Sequence, residues 1–93
     1  MSVSIKKFSD DVFGVTVAKT SKTTHTVTVT DQSLTDLTDN NVTKTQLLEF
    51  SFKVLLEREP NTSILSSFDI NVITKYFPDY RDEVRRWCNE SQK

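Results

Sequence analysis

The sequence predicts an α+β fold, in which an N-terminal antiparallel β-hairpin or three-stranded meander packs on a C-terminal bundle of three to four helices. Two observations lead to this prediction. Residues 12–31 alternate apolar with polar side chains and are rich in β-branched residues, which is typical of half-buried strands. Residues 47–56 are dense in apolar side chains directly behind a helix-start signal, which is typical of a buried helix.

The chain length predicts one domain. A chain of 93 residues can enclose a single modest hydrophobic core. We therefore expect residues 1–93 to fold as one unit, with a β part over residues 1–31 and a helical part over residues 43–90. Residues 32–42 should form a connector that contains a short helical turn.

The first well-marked strand covers residues 12–19. It places Phe13, Val15 and Val17 on one side at a period of two, which suits a strand with one buried face. A second strand is predicted over residues 24–31, where polar and apolar residues alternate more cleanly.

The two faces of this second strand differ in chemistry. One face carries residues that suit burial: His25, Val27 and Val29. The other face carries three threonines: Thr26, Thr28 and Thr30. The polar run 19–23 joins the two strands as a hairpin loop. Val3 and Ile5 predict a third strand at the outer edge, because an isolated hairpin is marginal in water.

Two capping signals begin the helical half. Asp31 is predicted to cap a short helical turn that holds Leu34 and Leu37. Thr43 and Gln46 form the capping-box pattern Thr-x-x-Gln directly ahead of the long apolar run. The apolar residues of that run cover more than one stripe of a helix. This helix should therefore be the central element of the core.

Proline residues divide the remainder of the chain. Pro60 stops the long helix, Asp69 is predicted to cap a second helix, and Pro78 ends that helix and opens the last one. The last helix carries four residues on one apolar face: Tyr80, Val84, Trp87 and Cys88.

Residues that usually carry catalysis are scarce. His25 normally titrates near neutral pH, but it shares a strand face with valines, which favours a hydrogen-bonded structural histidine. Cys88 lies on an apolar helix face, where a thiol is usually inert. Gly14, the single glycine, cannot form a glycine-rich phosphate cradle and marks a bulge or close packing. We therefore expect no enzyme activity, no cofactor and no metal site.

The charge balance does not favour nucleic-acid binding, because the chain has 12 Lys and Arg against 13 Asp and Glu and a net charge of −1. The order strand, short helix, long helix nevertheless matches ribbon-helix-helix DNA-binding dimers, with the strand at Thr24–Thr30 in the major groove. Thr26, Thr28 and Thr30 would then face the bases. The short first helix, the hairpin partner of the strand and its lack of Arg and Lys oppose this alternative.

Segment composition predicts the compartment. No stretch approaches the roughly 18 apolar residues of a membrane-spanning helix, and the N-terminal residues lack the apolar core of a secretory signal. Cys88 has no second cysteine with which to form an internal disulfide. The sequence thus predicts a cytoplasmic protein without membrane contact.

These exclusions favour a small, non-catalytic, soluble protein-interaction or accessory domain. The partner is an unidentified protein or a second copy of the chain, which would add a strand to the unpaired backbone groups of the threonine-rich edge strand. The candidate interaction surface consists of five residues: His25, Thr26, Thr28, Thr30 and Tyr76. Tyr76 is included as the outward-facing member of the aromatic residues near the C-terminus.

Several strings resemble a group of small uncharacterised bacterial proteins. They are LEFSFKVLLEREP at residues 48–60, SIL and FD in the following segment, and YFPDY at residues 76–80. The resemblance covers about residues 24–80 and implies a bacterial origin, but it carries no activity to any residue. LEREP and YFPDY are expected to serve packing and helix termination through Pro60 and Pro78.

Overall fold

A computed structural model describes residues 2–19 and 21–91 and confirms the α+β fold with a β-meander at the N-terminus. The strands described are β1 (Ser2–Lys7), β2 (Val12–Ala18), β3 (Lys22–Thr28) and β4 (Ser67–Asp69). The α-helices described are α1 (Asp31–Thr38), α2 (Lys44–Arg58), α3 (Val72–Tyr76) and α4 (Tyr80–Ser91). A single 3-10 turn, Asn61–Ser63, follows α2.

The strands form one sheet in the order β1-β2-β3-β4. The first three are antiparallel neighbours, whereas β4 runs parallel to β3. The sequence did not predict β4. The prediction that Asp69 is the cap of the following helix is wrong, because Asn71 is the N-cap of α3, whereas Asp69 ends β4 and its carboxylate accepts from Asn71 N at 2.9 Å. Backbone bonds draw this segment into the sheet: Thr26 N donates to the Ser66 carbonyl at 2.8 Å, and Ile70 N donates to the Thr28 carbonyl at 2.9 Å.

The threonine-rich strand β3 lies inside the sheet. Within the described residues it hydrogen-bonds to β2 on one side and to β4 on the other. The expectation that this strand offers a free edge to a partner is therefore wrong. The same pairing removes the free ribbon that a ribbon-helix-helix dimer would insert into DNA.

The core lies between one face of the sheet and the helices. The sheet contributes buried apolar residues at the positions predicted for this face: Phe13, Val15, Val17, Val27 and Val29. The central helix α2 contributes Leu47, Leu48, Phe52, Val54 and Leu55, and α4 contributes Tyr80, Val84 and Cys88.

Helix α2 contacts both layers, as its wide apolar surface predicts. The Phe52 ring lies 5.5 Å from the His25 ring on the sheet side, measured between centroids. On another side, Phe50 stacks on Trp87 of α4 with a centroid distance of 4.5 Å and an interplanar angle of 9°. This helix is thus the central element of the core.

The capping residues of α1 and α2 show how local bonds begin each helix. Thr43 and Gln46 form the predicted capping box at the start of α2. Helix α1 differs from the prediction, because Thr30 and not Asp31 is its N-cap, with Thr30 Oγ1 accepting from Ser33 N at 3.1 Å. Thr30 therefore turns away from the strand and belongs to the helix start.

Removing the α2 cap should have a small, measurable cost. We expect Thr43→Ala to lower the free energy of unfolding by about 1 kcal/mol, because the Gln46 amide loses its side-chain acceptor. Urea denaturation measures this change. Thr45→Ala is the matched control, because Thr45 is exposed and lies between the two capping residues without taking part in the cap. It should change stability by less than about 0.5 kcal/mol. Equal losses of stability in both variants would contradict the capping role of Thr43.

Gly14 shows close packing, one of the two predicted alternatives. A Cβ built on Gly14 would lie 2.5 Å from the tip of the Phe8 ring, on the face of the sheet opposite the core. Phe8 is an exposed side chain, and its ring covers this glycine.

The two unusual strings meet in space. Arg58, from LEREP, donates to both carboxylate oxygens of Asp79, from YFPDY, at 2.8 and 2.7 Å, and to Glu83 at 2.8 Å. Its guanidinium also lies 5.1 Å from the Phe77 ring centroid. These hydrogen bonds hold the pKa of Asp79 below its ordinary value. Arg58 thus joins the end of α2 to the start of α4, in addition to the termination expected from the prolines.

Tyr80 should make stability fall at alkaline pH. Burial raises the pKa of Tyr80 above its ordinary value near 10, and its hydroxyl is hydrogen-bonded to Ser51. The folded protein therefore keeps this proton to higher pH than the unfolded chain. Unfolding above pH 10 then releases a proton, so the free energy of unfolding falls as pH rises, by up to about 1.4 kcal/mol per pH unit for this group.

Urea denaturation between pH 8 and 11.5 isolates the Tyr80 contribution. We expect Tyr80→Phe to flatten the alkaline decline relative to the unmodified chain. Tyr76→Phe serves as the control, because Tyr76 is an exposed tyrosine and should leave the decline unchanged. A decline that is equally steep without the Tyr80 hydroxyl would contradict this assignment.

Candidate functional site

Of the three exposed large apolar side chains of the described residues, two lie in one site. They are Phe8, Leu65 and Tyr76, with exposed fractions of 56%, 47% and 65%. Leu65 and Tyr76 line the same depression, which we call the apolar groove. Its volume is about 370 Å³, and its lining comprises Leu55, Glu59, Ser63, Ile64, Leu65, Phe68, Val72, Ile73, Tyr76 and Phe77.

Three parts of the chain form the groove. The C-terminal half of α2 contributes Leu55, the segment between the 3-10 turn and β4 contributes Leu65, and α3 contributes Tyr76. Helix α3 is short because Pro78 follows it, and Phe77 closes its last turn by donating from its backbone N to the Ile73 carbonyl at 2.8 Å. One long helix and two short segments therefore line the groove.

The buried His25 is hydrogen-bonded to the backbone of Leu65, one of the residues that line the groove. His25 Nδ1 lies 2.7 Å from the Leu65 carbonyl oxygen, and Nε2 lies 2.8 Å from the Thr23 hydroxyl. A carbonyl oxygen can only accept, so Nδ1 carries the hydrogen, and Nε2 accepts from Thr23. Both ring nitrogens are thus occupied in the neutral form of the imidazole.

Asn61 extends this set of hydrogen bonds to the β2–β3 hairpin. Its side-chain Nδ2 donates to the Ser21 carbonyl at 2.8 Å and to the Thr23 hydroxyl oxygen at 3.0 Å. Asn61 is buried, so these bonds are shielded from water. Asn61, Thr23, His25 and the Leu65 carbonyl form one chain of hydrogen bonds between the β2–β3 hairpin and the groove.

The predicted interaction residues fall into different environments. Tyr76 lies in the groove and is exposed, as expected. His25 is 2% exposed, so its predicted place on the surface is wrong, and it reaches the site only through Leu65. Thr26 and Thr28 lie on the sheet face opposite Val27, away from the groove, and Thr30 caps α1.

Sequence reasoning missed most of the groove. Leu65 was recognised as apolar, but its exposure depends on the path of the chain after Pro60, for which no helical or strand period exists. No period marks Phe68 as part of a strand, whereas it lies opposite Val27 in the sheet. The adjacent apolar pair at residues 64–65 was the signal available, since one of two neighbouring side chains in an extended segment must face away from the core.

The lining of the groove suits apolar contact. Its lining is mainly apolar, with Glu59 and Ser63 as polar members. Among residues 2–19 and 21–91, no group of three or more His, Cys, Asp or Glu side chains is placed to hold a metal ion. Cys88 is buried away from the groove, and burial raises the pKa of its thiol. The groove can therefore accept an apolar side chain without a cofactor.

A second, wider depression lies between α2 and α4 and has a volume of about 680 Å³. Charged side chains dominate its lining: Glu49, Lys53, Glu57, Glu83, Arg86 and Glu90. Such a surface is what the solvated sides of two helices present to water. We therefore take the smaller apolar groove as the candidate site, because release of water from apolar surface drives most association.

Comparison with protein-family models, with curated proteins and with solved structures finds no match for this chain. Within the described part of the chain, no helix has the length and apolar character needed to cross a membrane.

Proposed function

We propose that this protein is a small, non-catalytic interaction domain that binds an extended, apolar segment of a partner protein in the apolar groove. The observation that carries the proposal is the exposure of Leu65 and Tyr76 in one groove, since contiguous exposed apolar surface marks interaction sites, whereas single exposed apolar side chains are common. The partner supplies the apolar side chains that cover them.

The size of the groove sets the affinity. Burial of one Leu-sized or Phe-sized side chain gives roughly 1.5–3 kcal/mol. Two such side chains, together with a few backbone hydrogen bonds, correspond to a dissociation constant in the range of about 1 μM to 1 mM, after the cost of association. A transient accessory interaction fits this range.

The neighbouring strand favours an extended occupant. β4 is a terminal strand of the sheet, and no described strand pairs with its outer side. An extended segment can pair with such a strand and place alternate side chains into an adjacent pocket. Phe68 of β4 lines that pocket, so pairing and burial would occur together.

The cellular setting belongs to the same proposal. A single buried cysteine without a disulfide is compatible with a reducing cytoplasm, and a bacterial origin follows from the resemblance of the LEREP and YFPDY strings. Catalysis is not part of the proposal, because both ring nitrogens of His25 are engaged in structural hydrogen bonds.

Peptide selection with matched variants tests the proposal. A displayed library of random decapeptides is selected on the full chain, and the binders are measured by fluorescence anisotropy. We expect peptides with alternating bulky apolar residues, and at least tenfold weaker binding to Leu65→Ser and to Tyr76→Ser. Phe8→Ser is the matched control, because it removes an exposed large apolar side chain outside the groove.

Two results of this experiment would contradict the proposed function. The first is equal weakening of peptide binding by Phe8→Ser and by Tyr76→Ser. The second is that no selected peptide binds the unmodified chain with a dissociation constant below about 1 mM. Circular dichroism spectra of the three variants show whether each remains folded.

A further inference from the structure

The other terminal strand, β1, presents unpaired backbone groups on a defined set of residues. Phe8 N donates to the Val12 carbonyl at 2.9 Å, so Val12 directs its backbone groups towards β1. Val29 N donates to the Asp11 carbonyl at 2.7 Å, so Asp11 directs its groups the other way, towards β3. In an antiparallel pair these directions alternate from residue to residue.

This alternation fixes which residues of β1 face the open edge. The register pairs Ser4 with Thr16 and Lys6 with Gly14, so the even-numbered residues of β1 direct their backbone groups to β2. Val3, Ile5 and Lys7 then direct theirs outward. No described strand lies on that side of β1.

The side chains of β1 divide by the same alternation. Val3 and Ile5 are half-buried and pack against the hydrophobic core. Ser2, Ser4 and Lys6 lie on the opposite face of the sheet, which carries mainly small and polar residues. The residues whose backbone groups face the open edge thus have their side chains on the apolar face of the sheet. Val3 and Ile5 lie symmetrically on either side of Ser4, so the apolar pattern is the same in both strand directions.

We propose that β1 pairs antiparallel with β1 of a second copy of this chain around a twofold axis at Ser4. Val3 then lies opposite Ile5 of the second copy, and Ile5 lies opposite Val3 of the second copy. Because the backbone groups of both residues face the edge, each of these pairs exchanges both of its hydrogen bonds. This interface is independent of the apolar groove.

Symmetry and the positions of the apolar residues together favour this register. A twofold axis perpendicular to a continuous sheet maps each face onto itself, so paired residues must share a face. The register centred on Ser4 satisfies this condition and places apolar residues opposite apolar residues twice. A shift of the axis to Ile5 would place Val3 opposite Lys7 of the second copy and leave a single apolar pair, Ile5 opposite Ile5.

The lysines of β1 do not oppose this register. Lys6 lies opposite Ser2 of the second copy, so the two symmetry-related Lys6 residues are four positions apart along the strands, or about 14 Å. That separation exceeds the screening length of about 8 Å at physiological ionic strength. Lys7 forms an ion pair with Asp10 at 3.5 Å in its own chain.

Cysteine trapping tests both the interface and its register. Ser4 and its copy form a non-hydrogen-bonded pair with Cα atoms about 4.5 Å apart, within the range of a disulfide. We expect Ser4→Cys to form at least ten times more disulfide dimer than Lys6→Cys under mild oxidation. A mixture of Ser2→Cys and Lys6→Cys proteins should give the heterodimer. The unmodified chain, with its buried Cys88, is the background control.

Sedimentation equilibrium of Val3→Pro provides the second readout. The Val3 amide faces the open edge, so proline at this position spares the β1–β2 ladder and removes one bond per copy, which is two of the four bonds that these pairs form in the dimer. We expect the spectrum of the folded chain to be retained and dimer formation to weaken at least tenfold. Equal trapping of Ser4→Cys and Lys6→Cys, or a monomeric unmodified chain at about 1 mM, would overturn the proposal.

Discussion

Replacement of Phe52 by alanine is expected to lower the free energy of unfolding by about 3–5 kcal/mol. Phe52 is fully buried, and its ring lies 5.5 Å from the His25 ring and 6.3 Å from the Phe68 ring, between centroids. It therefore contacts both β3 and β4 from the centre of α2. Its loss leaves a cavity where the helix meets the sheet, which close packing cannot refill without strain.

Urea denaturation of Phe52 variants measures this effect. A domain of this size has a total stability of roughly 5–14 kcal/mol, so Phe52→Ala sits near the limit at which folding is lost. Phe52→Leu, with an expected loss of about 1–2 kcal/mol, keeps the measurement possible if the alanine variant does not fold. Tyr76→Ala is the exposed aromatic control and should change stability by less than about 1 kcal/mol.

A loss below about 1 kcal/mol for Phe52→Ala would contradict the central position of α2. The same result for Phe52→Ala and Tyr76→Ala would show that the ring is not enclosed. Either outcome would also weaken the placement of β4, since Phe68 packs against the same ring.

Replacement of His25 by leucine is expected to cost about 1–3 kcal/mol and to loosen the wall of the apolar groove. Leucine has a similar volume but cannot donate to the Leu65 carbonyl or accept from the Thr23 hydroxyl. Because both bonds are part-buried, the variant leaves the Leu65 carbonyl without this donor and the Thr23 hydroxyl without this acceptor. The local effect should concentrate at residues 61–66.

Hydrogen exchange followed by mass spectrometry detects this loosening. We expect faster exchange over residues 61–66 in His25→Leu than in the unmodified chain, together with weaker binding of groove-directed peptides. Thr24→Leu places the same side chain at the neighbouring exposed position and should leave exchange unchanged. If exchange over residues 61–66 stayed the same in His25→Leu, the histidine would not support the groove.

Local patterns were sufficient for much of this fold. The period of two in residues 12–17 identified the buried face of β2, and the Thr-x-x-Gln pattern located the start of α2. These predictions succeeded because each depends on side chains within one strand or one turn of helix. Tyr76 was placed on the surface for a similar reason, since it lies next to apolar residues that must face inward.

Features that depend on distant residues escaped prediction. β4 has three residues and forms through backbone bonds to β3, about forty positions earlier in the chain, so no local period marks it. Its presence moves β3 from the edge of the sheet to the interior. Consequently, the proposed partner surface moves from Thr26 and Thr28 to the groove beside β4.

For His25 the sequence correctly predicted a structural role, but it wrongly placed the side chain on an interaction surface. Its position among valines correctly indicated a structural, hydrogen-bonded side chain. Its acceptor, the Leu65 carbonyl, lies forty residues away, and nothing near His25 in sequence indicates it. The link between the buried histidine and the exposed groove therefore appears only in three dimensions.

Amide chemical-shift mapping with the tightest selected peptide tests the groove proposal most directly. We expect the largest shifts at residues 63–69 and 72–77, with loss of these shifts in Tyr76→Ser. Shifts confined to the charged depression between α2 and α4, or spread over the outer sheet face at Thr16 and Thr24, would contradict the proposed binding site.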